Sequence, residues 1–181
     1  SLFHAPDGRK YLLNMAAEYR TWKVRFAGIM MQEYSEAEQK VIGEPKMIWR
    51  GSSSRTTEGP VMYYKDGWYY LFCAEGGTGV RHCEVVLRSR QIYGPYERGS
   101  YEPLITAWPY PANPLQKAGH ASMAQGPDGS WQLRADPFAF AFEALPGTAS
   151  RLAEPNYPFA APLLRGAHRD APVLIYELHS A

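Results

Sequence analysis

Short apolar runs, many alternating with polar residues and broken by Gly, Pro and Asp-Gly pairs, fill the first 133 residues. That spacing predicts strands with one buried face rather than helices. Three stretches share one layout. Asp7-Gly8 precedes Arg9-Lys10-Tyr11-Leu12-Leu13, Asp66-Gly67 precedes Trp68-Tyr69-Tyr70-Leu71-Phe72, and Asp128-Gly129 precedes Ser130-Trp131-Gln132-Leu133. Gly supplies the positive φ that tight hairpins require, so each pair predicts a turn and the residues after it a strand. In the first two units a second strand follows, Phe26–Tyr34 and His82–Ser89. Punctuation at Gly43-Glu44-Pro45 and Gly94-Pro95 then leads to a closing strand or turn at Lys46–Trp49 and Pro103–Thr106. Ser35–Lys40 allows either one short polar helix or a turn.

The Asp-Gly pairs lie 59 and 62 residues apart. A unit of that length, built of several strands and closed by turns, has the layout of a β-propeller blade. An unrelated series of hairpins in a β-sandwich fits the same three matches. Propellers close with four blades or more, and this chain holds about two and a half to three. On the propeller reading, residues 1–133 form an incomplete propeller. Beyond them the pattern fades. Pro137, Pro146, Pro155, Pro158, Pro162 and Pro172 leave little room for regular elements, and Val173–Tyr176 is the one strand candidate. Residues 134–181 are expected to be a divergent Pro/Ala-rich tail, poorly ordered or loosely packed.

Composition narrows the function. Nineteen Lys and Arg against 18 Asp and Glu give a net charge of +1, so there is no electrostatic footprint for nucleic acid or an anionic membrane. No apolar run approaches the roughly 20 residues of a membrane helix. Cys73 and Cys83 flank Gly76-Gly77-Thr78-Gly79 and could lie on neighbouring strands, as a disulfide or as two buried thiols. Ser1-Leu2-Phe3-His4 reads like the middle of a strand and carries no signal peptide, so the chain is expected to start inside a domain. The compartment and oligomeric state are left open.

Three motifs carry chemistry. In Thr57-Glu58-Gly59-Pro60, an acid beside Gly at the mouth of a strand could point into an open pocket, or it could pair with Arg55 or Arg81 on the surface. In Gln116-Lys117-Ala118-Gly119-His120-Ala121-Ser122, the imidazole matters if it converges on Glu58, one repeat length away; equivalent positions of adjacent blades both face the axis. Ala74-Glu75-Gly76-Gly77-Thr78-Gly79 lacks the Lys-Ser/Thr and the following helix of a phosphate cradle and reads as a hairpin turn. Asn14 and Thr78, near strand ends, could hydrogen-bond a polar ligand. Aromatics among Tyr19, Trp22, Trp49, Tyr63 and Trp108 could stack on sugar rings or serve as core. No metal-ligand spacing and no nucleophile elbow is present.

Read in order, these motifs together with Phe26-Ala27-Gly28-Ile29, Gln32-Glu33-Tyr34 and Asn113-Pro114-Leu115 resemble glycoside hydrolase family 43, of the β-xylosidase and α-L-arabinofuranosidase type. The resemblance covers about residues 1–133. It implies an all-β fold, part of a five-bladed β-propeller with its active site on the axis, and an inverting mechanism with an acid Glu, a base Asp and a further Asp that tunes the acid. It places Glu58 as the general acid and Asn14, Thr78 and His120 as substrate-binding residues. It implies xylo- or arabino-oligosaccharides as partners, and no cofactor.

Departures temper this. Neither Asp matches a position in the chain, Ala16-Ala17 replaces a Leu-Trp-like pair, and Val61 stands where many members have His. The match stops after Leu133, before the substrate-binding Arg. The expectation is therefore a glycosidase truncated at both ends and inactive in this form. A non-catalytic carbohydrate-binding or structural relic is the alternative, and assembly with another chain a third.

Overall fold

The computed structural model describes residues 1–17, 26–52, 56–99, 103–109, 111, 116–125, 127, 131–137, 160–163 and 174–178, and every regular element among them is a β-strand. β1 (Leu2–His4), β2 (Lys10–Ala17), β3 (Phe26–Ser35) and β4 (Lys40–Trp49) form an antiparallel sheet in that order. β5 (Thr57–Lys65), β6 (Trp68–Glu75), β7 (Cys83–Ser89) and β8 (Glu97–Arg98) form the second sheet, with β9 (Ile105–Thr106) pairing beside β8 on β7. β10 (Ala118–Gln125), β11 (Trp131–Pro137), β12 (Ala160–Leu163) and β13 (Leu174–Leu178) form the third, ordered β10-β11-β13-β12.

The turns follow from local chemistry. Lys65 pairs with Trp68 across Asp66 (φ 53°) and Gly67 (φ 77°), a two-residue hairpin whose left-handed positions suit Asp-Gly. Asp7-Gly8 closes β1 on β2, with the Gly8 N–H donating to the Ala5 carbonyl at 3.0 Å. Asp128-Gly129 lies outside the described residues, although β10 and β11 pair from Gln125 and Trp131 on either side of it. Ser35 pairs with Lys40, so the residues between them make a turn and not a helix. The later strand candidate is β13, which pairs with Gln132–Ala135 of β11. Most of residues 138–181, and with them the expected packing of the tail, lie outside the described residues.

Two cores flank β6. Phe3, Tyr11, Leu13, Ile29 and Met31 of the first sheet pack with Met62, Leu71, Cys73, Val85 and Leu87 of the second. Phe72 on the other face of β6 packs with Ile105, Ala118, Ala121 and Leu133. Burial on both faces explains the unbroken buried run from Leu71 to Glu75, where a half-buried strand would alternate. The Tyr63 hydroxyl bridges the second and third sheets, accepting from the Met123 N–H at 2.5 Å and donating to the Met123 carbonyl at 3.0 Å. Cys73 and Cys83 are free and buried; Cys73 stands opposite Val85 and Cys83 opposite Glu75, so the register keeps the thiols apart.

Candidate active site

Glu58 enters the ladder opposite Ala74, and the next pair is Val61 with Phe72. Gly59-Pro60 therefore oppose Cys73 alone, a β-bulge. Gly59 sits at φ 56°, which Gly tolerates, and Pro60 has no N–H to lose from the ladder. The Pro60 carbonyl accepts the Ser1 hydroxyl at 2.6 Å, tying the first sheet to this bulge.

β10 carries a matching irregularity. Gly119 pairs with Asp136 and Ser122 with Arg134, so His120 and Ala121 oppose one residue. His120 is left-handed at φ 53°, rare for a residue with a side chain. Its ring lies against Gly59: a Cβ placed there would stand 2.4 Å from His120 Nε2 and 2.7 Å from Cδ2. The two bulges thus set the imidazole beside the residue that follows Glu58. Glu58 is half-buried and His120 is exposed, so both reach solvent at one mouth.

Buried polar groups support that mouth. His82 Nδ1 must carry its proton, because it donates to the Gly77 carbonyl at 2.5 Å. Burial lowers the His82 pKa; the Gly77 carbonyl works against this, the nearby His120 adds to it, and Glu58 opposes it. Gly119 is needed where it stands, since a Cβ there would lie 2.7 Å from the His82 ring and 2.8 Å from the Cys83 carbonyl. Glu84 accepts the Ala121 N–H at Oε2, 2.8 Å away. Burial pushes its carboxyl up to about 8, and the Ala121 and His120 amides oppose that rise. Glu75 is equally buried and accepts from Trp49 Nε1 at 3.1 Å, from the Ser52 N–H at 3.0 Å and from the Ser52 hydroxyl.

The other candidates are more peripheral. Thr78 is exposed in the β6–β7 hairpin, which the Gly76 N–H anchors to the Thr56 carbonyl at 3.1 Å, next to Thr57-Glu58. Asn14 is exposed on β2, and its amide donates to the Met15 carbonyl at 3.0 Å. Neither side chain hydrogen-bonds Glu58 or His120 among the described residues. Of the aromatics, Trp49 and Tyr63 are held by their hydrogen bonds, and Trp108 is exposed with the Arg81 guanidinium 4.6 Å from its ring centroid. Tyr19, Trp22 and Arg55 lie outside the described residues. Sequence reasoning passed over His82 and Glu84, reading them only as strand. The available signal was a carboxylate beside Val85-Val86-Leu87, where burial demands a partner.

Comparison with known proteins gives a consistent result. Residues 1–134 match Glycosyl hydrolases family 43. The chain is 49% identical over 133 residues to a beta-xylosidase of Bacillus subtilis (strain 168), spanning 74% of this chain and 25% of that protein. It is 43% identical over 133 residues to xylosidase/arabinosidase 43B of Humicola insolens, with the same 74% and 25% coverage. The structure superposes on the crystal structure of xylan beta-1,4-xylosidase from Bacillus halodurans C-125 with a TM-score of 0.72 and 50% identity, over 75% of this chain and 26% of that one. The chain thus spans about a quarter of the length of these relatives. Its sheets are blades of a five-bladed β-propeller, of which it carries part.

Proposed function

We propose, on the footing that this chain belongs to glycosyl hydrolases family 43, that it is part of an inverting glycosidase acting on xylan-derived oligosaccharides, with Glu58 as the proton donor. Relatives described as beta-xylosidase and xylosidase/arabinosidase support the substrate class. The observation that carries the reading is the His120 ring against Gly59, which puts an imidazole and a half-buried carboxyl at one solvent-facing mouth.

A carboxylic acid at that mouth can protonate the glycosidic oxygen as the bond to the anomeric carbon breaks. In this reading the His120 imidazole hydrogen-bonds a sugar hydroxyl and orients the ring, while Thr78 in its exposed turn and Asn14, exposed in the middle of β2 and not at a strand end, offer further polar contacts. Inversion also needs a second carboxylate roughly 6.5–9.5 Å away to activate water. Glu75 and Glu84 are wholly buried and committed to backbone and side-chain donors, so neither fills that role.

That last observation favours a second reading for the 181-residue polypeptide by itself: it binds xylo-oligosaccharide without cleaving it. Calorimetry with xylobiose and an aryl-xyloside assay separate the two. In a protein that turns over, Glu58→Gln should lower the rate by a factor on the order of 10²–10⁴ and leave binding within a few-fold. A Glu58→Gln variant of undiminished rate would remove Glu58 from the role.

A further inference from the structure

His120 is held in an unfavourable left-handed conformation, so something outside its own strand must hold it there. One device that can do so is Glu84. This residue stands in β7 opposite Ala74 of β6 and Ile105 of β9, with no exposed surface. Its Oε2 accepts the N–H of Ala121, the residue directly after His120 and part of the same bulge. Its Oε1 has no hydrogen-bond partner among the described residues. Its backbone carbonyl also accepts the Leu104 N–H at 2.8 Å, so the residue is fixed at both ends. A carboxyl in so apolar a setting is costly, and a strand of Val and Leu would pack at least as well.

We propose that Glu84 is a positioning residue: its buried carboxyl grips the bulge of β10 and so sets where the His120 imidazole lies over Gly59. The carboxyl reaches from one blade to the next, so it fixes the relation between the strand bearing Glu58 and the strand bearing His120. What His120 then contacts rests on the glycosidase reading; the grip itself does not.

The groups facing this carboxyl are Glu75 and Cys73 on β6, Tyr63 on β5, Cys83 beside it on β7, and the β10 amides. Burial, with Glu75 adding to it, pushes Glu84 up to about 8. The Ala121 N–H therefore donates to a mostly neutral carboxyl at pH 7 and to a carboxylate above about pH 8.

The test is nuclear magnetic resonance of the polypeptide, following the Ala121 amide and the His120 ring from about pH 6 to about pH 9 across the expected titration. In the unaltered protein the Ala121 amide should shift with a midpoint near 8. Glu84→Gln keeps the acceptor without the charge, so Ala121 should hold its position and stop titrating. Glu84→Leu removes the acceptor, so both Ala121 and the His120 ring should move. Xylobiose affinity should fall on the order of tenfold in the Leu variant and recover in the Gln variant.

Unmoved Ala121 and His120 signals in Glu84→Leu would overturn the proposal. Should that variant fail to fold, an Ala121 amide that still titrates near 8 in Glu84→Gln would overturn it equally. If the unaltered protein binds no xylobiose, the glycosidase reading fails, while the amide and imidazole signals still decide the role of Glu84.

Discussion

Gly59 is held at φ 56°, and a methyl group in its place would stand 2.4 Å from His120 Nε2. Two penalties follow for Gly59→Ala. The left-handed backbone costs a Cβ about 1–2 kcal/mol, and the collision adds overpacking of about 1–3 kcal/mol unless the ring swings away. If it swings, the collision penalty is spared, the backbone strain remains and the imidazole leaves Glu58. A double-mutant cycle distinguishes the two penalties. His120→Ala removes the object of the collision, so Gly59→Ala should cost less in that background by about 1 kcal/mol, leaving the backbone strain. Urea unfolding of the four proteins reads the coupling. Equal costs in both backgrounds would mean that the ring does not resist the methyl group, either because it swings away or because it does not touch Gly59. In this pair the sequence was readable in part: Thr57-Glu58-Gly59-Pro60 showed an acid beside Gly at a strand mouth, whereas the bulge, which Gly permits by its positive φ and Pro by its missing N–H, emerges only from the register with β6. Nothing in Ala118–Ser122 advertises a left-handed His, because the group that binds its neighbour, Glu84, belongs to another sheet.

The strands show the same division between local and distant causes. Asp66-Gly67 yields a two-residue hairpin from its own backbone preferences, and Ser35–Lys40 is a turn because the register of β3 and β4 leaves no room for a helix. The closing segment of the first unit is longer than its own residues suggest: Lys46–Trp49 is the end of β4, which begins at Lys40. Its first half, Lys40–Glu44, is largely exposed although Val41 and Ile42 are apolar, and pairing with β3, not burial, holds it in the strand. Glu75 offers a test at this scale. It ends β6 and accepts the Trp49 indole N–H from the end of β4 together with the Ser52 amide and hydroxyl, joining the first and second sheets at the rim. Glu75→Ala removes the acceptor for these donors, each worth about 1–3 kcal/mol when left buried without a partner. A loss of about 2–4 kcal/mol is expected, seen as a lower urea midpoint at unchanged slope. Glu75→Gln should recover part of it, since an amide oxygen still accepts. A loss below about 0.5 kcal/mol in the Ala variant would show that the rim is held by packing alone.

Across the whole molecule, the repeat spacing near 60 residues was enough to suggest blades, because each Asp-Gly turn recurs at one place in a unit. It could not reveal what couples the blades, since those contacts join residues distant in sequence: Ser1 to Pro60, Tyr63 to Met123, and Glu84 to Ala121. The coupling carries a pH signature. Glu84 is raised in the folded protein from 4.5 to about 8 by burial. Its share of stability is therefore fully present below about 4.5, declines as the pH rises through that interval and levels off above about 8. His82 is lowered from 6.5, chiefly by burial, so the unfolded chain takes up its proton first and stability is lost as the pH falls below 6.5. The two groups penalise opposite directions, and only one of them lies in the contact between the second and third sheets through Ala121. Glu84→Gln should flatten the decline between pH 4.5 and 8 while leaving the loss below 6.5 in place. Thermal melts of both proteins across that range check it. If the variant declines as steeply as the parent, the carboxyl is not buried at this junction, and the blades are joined by their apolar faces without it.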